Sequence, residues 1–151
     1  MLKMQKIGLS LLLLLGTASS AAVIKASNPA SVLNIAKGYG SATLVKDGQG
    51  DPKITGRIEG IKYNIYFYGC SDNKDCDSIL FRAGWDTKST LKKMNDWNSR
   101  KTFGRAYVDE ESESIIEMAV NLDYDGVNHK NFDDTFDMWT TVLSQFQRHI
   151  N

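Results

Sequence analysis

The sequence predicts an α+β domain: a twisted antiparallel sheet of about six strands with N-terminal, middle and C-terminal helices. Three observations predict it. Apolar residues at Phe132, Phe136, Trp139, Leu143, Phe146 and Ile150 step by four and three, which is one buried stripe of a long helix. The stretches "IKYNIYFYG" and "DSILFRAGW" alternate and are rich in aromatic and β-branched residues, the pattern of half-buried strands. Between them, "YGCSDNKDC" holds the only two cysteines of the 151-residue chain, Cys70 and Cys76.

The N-terminus decides how much chain belongs to the domain. Lys3 and Lys6 precede an apolar run from Ile7 to Leu15, and small residues follow at Ser19 to Ala22. That three-part order is a secretory signal peptide, residues 1–22, cut after Ala21 or Ala22. The apolar run is about half of the ~20 residues that a membrane-spanning helix needs. No other stretch is long and apolar enough, so no span is expected after cleavage. Residues 23–28 read as a short linker and 29–151 as one domain. Without residues 1–22, sixteen Lys and Arg face eighteen Asp and Glu. That balance does not suggest a nucleic-acid groove.

The elements follow in order. In "SNPASVLNIAKGYGS", Ser27 or Asn28 can cap a helix whose first turn holds Pro29. Val32, Leu33 and Ala36 give its apolar stripe, and Gly38 and Gly40 end it. "SATLVKDGQGDPKITGRIEG" gives two short strands around a turn, with Gly60 marking the next turn. After the cysteine hairpin, Leu91, Met94 and Trp97 are spaced by three, a helical face. "RKTFGRAYVDEESESIIEMAVNL" is a second hairpin turning at about Asp109–Glu113. Asn131 is the expected cap of the last helix. Asp133 and Asp134 would lie in its first turn, and Arg148 and His149 at its end. Trp97 and Trp139 lie on apolar stripes and are assigned to the core.

In an exported protein a cysteine pair is expected as a disulfide. The other readings are a labile bond or a metal clip. Metal needs partners, and the only histidines, His129 and His149, lie far along the chain. An antiparallel hairpin with Cys70 opposite Cys76 pairs Phe67 with Ile79, Ile65 with Phe81, Tyr63 with Ala83 and Ile61 with Trp85. One face becomes uniformly apolar, and a slip of one residue would destroy it. The short loop makes the bond worth roughly 2.4 kcal/mol by chain entropy. The same register puts Tyr66, Tyr68 and Leu80 on the other face, with Lys62, Asn64 and Arg82. A mixed aromatic and basic face can be covered by one of the domain's own helices, by a second subunit, or by a protein or peptide partner.

Catalytic patterns are weak. No G-x-S-x-G elbow surrounds a serine, His129 falls in an expected loop, and His149 reads as a helix-end cation. The acid run Asp109–Glu113 reads as a solvated hairpin tip. The glycines near Asp47–Pro52 lack a following G-K-[ST]. Asn121, Asp123, Asp125 and Gly126 fit positions one, three, five and six of a calcium loop, but position twelve is Phe132. Asp123 and Asp125 are therefore weak metal candidates, and the stretch reads mainly as a turn. No cofactor is expected.

The chain resembles the YbjN-domain family, described as bacterial sensory transduction regulators. The matching stretches are "GDP" at Gly50–Pro52, "YFYGC" at Tyr66–Cys70, "FRAGW" at Phe81–Trp85, "NDWN" at Asn95–Asn98, "FGRAYVD" at Phe103–Asp109, and the terminal "F…W…L…F" helix. The resemblance implies a fold similar to type III secretion chaperones, which bind protein segments and are often dimers. Those act in the cytoplasm, whereas this sequence carries an export signal, so the secretion role is not carried over. The resemblance supplies no catalytic residue. The expectation is a non-enzymatic periplasmic or secreted binding or regulatory protein with a protein or peptide partner or as a homodimer. A small hydrolase using surface carboxylates and a calcium-dependent module are the alternatives.

Overall fold

The computed structural model describes residues 22–151. The expected signal peptide, all but its last residue, lies outside them. The elements are β1 (Val23–Ile24), α1 (Pro29–Tyr39), β2 (Ser41–Lys46), β3 (Pro52–Ile58), β4 (Ile61–Tyr68), β5 (Ser78–Trp85), α2 (Leu91–Arg100), β6 (Arg105–Val108), β7 (Ser114–Asn121), β8 (Val127–Asn128) and α3 (His129–Ile150). Six strands form one antiparallel sheet in the order β2-β3-β4-β5-β7-β6. The predicted α+β class, strand number and three helices are all present.

Local chemistry makes the turns. The Asp47 carboxylate accepts from the backbone N–H of Gln49 and Asp51, closing the β2–β3 hairpin. Glu59 and Gly60 both have positive φ, 48° and 84°, in the two-residue turn between the paired Ile58 and Ile61. Such turns match the twist of the strands they join. Asp109 repeats the first device, accepting from Glu111 N and Glu113 N at the β6–β7 turn.

The β4–β5 register is the predicted one. Tyr68 pairs with Ser78, Phe67 with Ile79, Tyr66 with Leu80, Ile65 with Phe81 and Asn64 with Arg82. The ladder stops there: Tyr63–Ala83 and Ile61–Trp85 are not among the paired positions, although β4 stays paired with β3 to Ile61 and β5 with β7 to Trp85. Cys70 and Cys76 are bonded. The chain between them folds back on itself through Ser71 and Lys74, whose backbones exchange two hydrogen bonds. Asp72, Asn73 and Asp75 all adopt positive φ in this glycine-free turn. Asn and Asp tolerate that conformation better than most residues, and the bond holds it.

All three helices pack on one side of the sheet. Phe81 is the centre of that interface, with ring centroids 5.2 Å from Phe136 and 5.3 Å from Trp139. Val32, Ile35 and Ala36 of α1 and Met94 and Trp97 of α2 join the same core. Trp97 also packs edge-on against Phe146. Gly56 sits under the ring of Tyr63, so close that a Cβ there would lie 2.5 Å from it.

Four expectations need correction. Leu91 is 73% exposed, so the α2 stripe begins at Met94; Thr90, just before it, caps the helix through Lys93 N. In α1, Ile35 joins Val32 and Ala36 as a buried residue while Leu33 is only partly buried against the same core, and Gly38 lies inside the helix. The last helix starts at His129, capped by the Asn128 side chain bonded to Asn131 N. Asp133 and Asp134 therefore lie beyond its first turn, and His129 is on the helix rather than in a loop. Residues 23–28 are not a free linker. Val23 and Ile24 pair with Asn128 and Val127, and Ile24 and Ala26 are buried.

Two outcomes follow from this packing. Trp139→Ala should lower stability by about 3–5 kcal/mol through lost burial and a residual cavity, measured by urea unfolding. Labelling of the denatured, unreduced protein should find no free thiol, and Cys70→Ser with Cys76→Ser should cost about 2 kcal/mol while the protein still folds cooperatively.

Candidate functional site

With the helices on one side, the other side of the sheet has no layer over it among the described residues. Strand alternation decides what it displays. The row through the middle reads Thr43, Thr55, Asn64, Arg82, Glu117 and Arg105 across all six strands. Beside it runs Val45, Lys53, Tyr66, Leu80 and Ala119. Tyr68 pairs with Ser78 one step further and is half exposed. The predicted group of Tyr66, Tyr68, Leu80 and Arg82 is thus brought together on one face. Cover by one of the domain's own helices is not what the chain adopts.

Glu117 is the buried charged residue among the described residues of this open side, because its neighbours bury it. It is only 4% exposed. Arg105 Nη2 donates to its Oε2 at 2.5 Å and the Tyr107 hydroxyl to its Oε1 at 2.7 Å. Arg82 Nη1 lies 3.5 Å away on the other flank, and Arg82 also reaches Asp109 at 3.8 Å. A carboxylate can sit out of water only when it is paired and hydrogen-bonded in this way. The hydrogen bond and charge of Glu117 hold the Arg105 guanidinium above its ordinary pKa. Burial, then the bond to Glu117, pushes the Tyr107 hydroxyl up to about 12. Lys53 sits over the ring of Tyr66, 5.0 Å from its centre. Sequence reasoning found Lys62, Asn64 and Arg82 here but missed Lys53, Arg57, Arg105, Tyr107 and Glu117. Period-two alternation in the neighbouring strands carried the signal, but only the strand order says which strands are neighbours.

The other candidates fall elsewhere. The His149 ring nitrogen bonds to Lys93 O at 2.7 Å and its ring packs against Trp97. His129 lies at the start of α3, and its backbone N–H donates to Ala22 O. Asp123 accepts from Tyr124 N, and Asn121 accepts from Asp123 N. These side chains thus cap their own turn. Phe132, at the position where the template needs a Glu, is fully buried. Among the described residues no group of three His, Cys, Asp or Glu side chains is disposed to hold a metal.

The motif "NDWN" has a physical role. Trp97 Nε1 donates to Gly104 O at 2.8 Å, and the Asn98 amide both donates to Ala106 O and accepts from Ala106 N. Strand β6 lies at the sheet edge, and Asn98 fills the hydrogen bonds that a further strand would make. The opposite edge, β2, has no such cover, and Leu44 and Val45 on it are more than one-third exposed.

A sheet covered by helices on one side, with a polar and aromatic open side, a disulfide-pinned central hairpin and one capped edge, defines a two-layer α+β domain with one open sheet face. A family model described as "Putative bacterial sensory transduction regulator", YbjN, matches residues 28–151. The chain belongs to the YbjN family. No curated protein and no solved structure matches it.

The raised tyrosines set a pH dependence. Burial raises Tyr63 to about 12, and burial with the hydrogen bond to Asp133 raises Tyr39 to about 12. With Tyr107 these groups keep their protons longer in the folded chain than at the ordinary value of 10.0. Their contribution to stability is complete below pH 10 and is lost as pH rises toward 12. Phenolate absorbance should show a late-titrating fraction that shrinks in Tyr107→Phe, with melting temperature falling over the same window.

Proposed function

We propose that this YbjN-family chain is an exported, non-enzymatic binding or regulatory protein that offers the open face of its sheet to a protein or peptide partner. The observation that carries this reading is the uncovered face itself. It displays Tyr66, Tyr68 and Leu80 beside Arg82, which the Arg82–Glu117–Arg105 network holds in place on strands of the central sheet. Tyr and Arg are the residue types that dominate binding energy at interfaces. A rigid, pre-shaped surface loses less freedom on binding than a mobile one. The family's description as a regulator favours the same reading.

Export is supported by the signal-peptide pattern and by the Cys70–Cys76 bond, which persists in an oxidising compartment. No helix among the described residues is long and apolar enough to cross a membrane. A non-enzymatic role is supported by what the histidines do. His149 is engaged with the α2 backbone and Trp97, and His129 opens the last helix. The acid run at Asp109–Glu113 serves its own turn through Asp109.

A photoreactive benzophenone amino acid in place of Tyr68, in cells that export the chain, tests the reading. Discrete adducts are expected from position 68 and none from the exposed position Asp134 on α3. Tyr66→Ser with Tyr68→Ser should melt close to the parent, since neither ring belongs to the helix-side core, yet abolish competition for those adducts. A chain copy in the adduct would identify self-association as the use of this face. A strongly destabilised double variant that still competes fully would end the proposal.

A further inference from the structure

At the β2 corner of the open side, away from the tyrosines, three strands enclose a concavity of about 390 Å³. Its open-side lining consists of Ser41, Thr43, Thr55, Arg57, Lys62 and Asn64. These residues are cross-strand partners in two rows, so all of them project to the same side. Three hydroxyls, one amide and two cations therefore converge, and no carboxylate lines the concavity.

The two cations are placed at a cost. Arg57 and Lys62 are directly opposed across the β3–β4 ladder. Like charges so placed destabilise a strand pair. Elsewhere on this side positive charge is matched: Arg105 by Glu117, Arg82 by Asp109 and Glu117, Lys53 by the Tyr66 ring. None of the ion pairs among the described residues involves Arg57 or Lys62. Arg57 Nη1 donates to Gly60 O at 2.7 Å, which steadies the guanidinium against the hairpin end. The guanidinium has five N–H donors in all, so most of them are left for a ligand.

A group with two negative charges and several acceptor oxygens fits these partners. Charge-assisted bonds from Arg and Lys to such oxygens are the strong class of hydrogen bond. Hydroxyls and the Asn64 amide supply neutral donors around them. A single carboxylate would leave one of the two cations unmatched. We propose that this concavity binds a phosphate-class dianion, held between Arg57 and Lys62 with the Thr43 and Thr55 hydroxyls as further donors. The site is separate from the tyrosine rows and stands whether or not those rows take a protein partner. A soluble phosphate and a lipid phosphomonoester share this chemistry, and the experiment separates them.

The exported chain is titrated with inorganic phosphate against chloride of equal ionic strength, following backbone amide shifts. In parallel it is sedimented with phosphatidylcholine vesicles, with and without phosphatidic acid. Saturable shifts confined to the Ser41–Thr43, Thr55–Arg57 and Lys62–Asn64 segments are expected for a soluble ligand. Binding only to phosphatidic-acid vesicles would assign the site to a lipid headgroup. In either arm Lys62→Gln or Arg57→Gln should weaken binding by about tenfold or more, while Lys62→Arg retains it. Lys62→Gln removes the like-charge contact without losing the Arg57–Gly60 bond and should melt no lower than the parent, so lost binding in that variant will not reflect unfolding. No saturable shift together with no phosphatidic-acid-dependent sedimentation overturns the proposal. So does binding that survives Arg57→Gln with Lys62→Gln.

Discussion

The β4–β5 register governs the rest of the molecule. Ile65 opposite Phe81 and Phe67 opposite Ile79 put four large apolar side chains on one face of the two central strands. Phe81 then receives Phe136 and Trp139 of α3, and the helix is drawn across the sheet at that point. Because side chains alternate with a period of two, the same pairing sends Tyr66, Leu80 and Arg82 to the opposite side. Core and open face are two consequences of one alignment. The Cys70–Cys76 bond lies just beyond the last rung of that ladder, where it favours this alignment over a slipped one.

The two sheet edges are treated differently, and the difference follows from the helices. α2 is short and stays near β6, where Trp97 and Asn98 hold Gly104 and Ala106. Backbone groups at that edge are satisfied without another strand. At the β2 edge the nearest cover is α1, which packs Val32, Ile35 and Ala36 into the core beneath. The segment before α1 and the one before α3 are tied together separately. Val23 and Ile24 pair with Asn128 and Val127, and Gly126 beside them comes so close to the Ile24 carbonyl that no side chain fits there.

Charge is distributed by the same geometry. The chain from residue 23 onward is slightly acidic, yet Lys53, Arg57, Lys62, Arg82 and Arg105 all fall on the open side of the sheet. Acidic residues collect instead in the turns and on α3. Net charge alone conceals this separation. It matters because local fields, rather than the total, steer and hold ligands. Glu117 and Asp109 together neutralise the β5–β6 half of the cationic side, while the β2–β4 half keeps its charge.

Much of this was legible in the sequence, for stated physical reasons. Alternation with a period of two identified β4 and β5, and the disulfide spacing fixed their register. The four-and-three spacing identified α3, the turn at Asp47–Asp51 announced itself by its Asp and Gly content, and that at Asp109–Glu113 by its acid run. Local rules were less able to place helix ends: Asn128 and Asn131 are both competent caps, and only the pairing of Asn128 with Val23 selects the first. Leu91 has the spacing of a core residue but lies beyond the reach of the α3 stripe, so it stays exposed. Sequence by itself determined which residues share a face within each strand. Tertiary structure alone decided which strands are neighbours, that β7 lies between β5 and β6, and hence that Arg82, Glu117 and Arg105 meet. Alternation is a local property of the backbone, whereas strand order is set by how three helices and six strands best bury one continuous apolar layer.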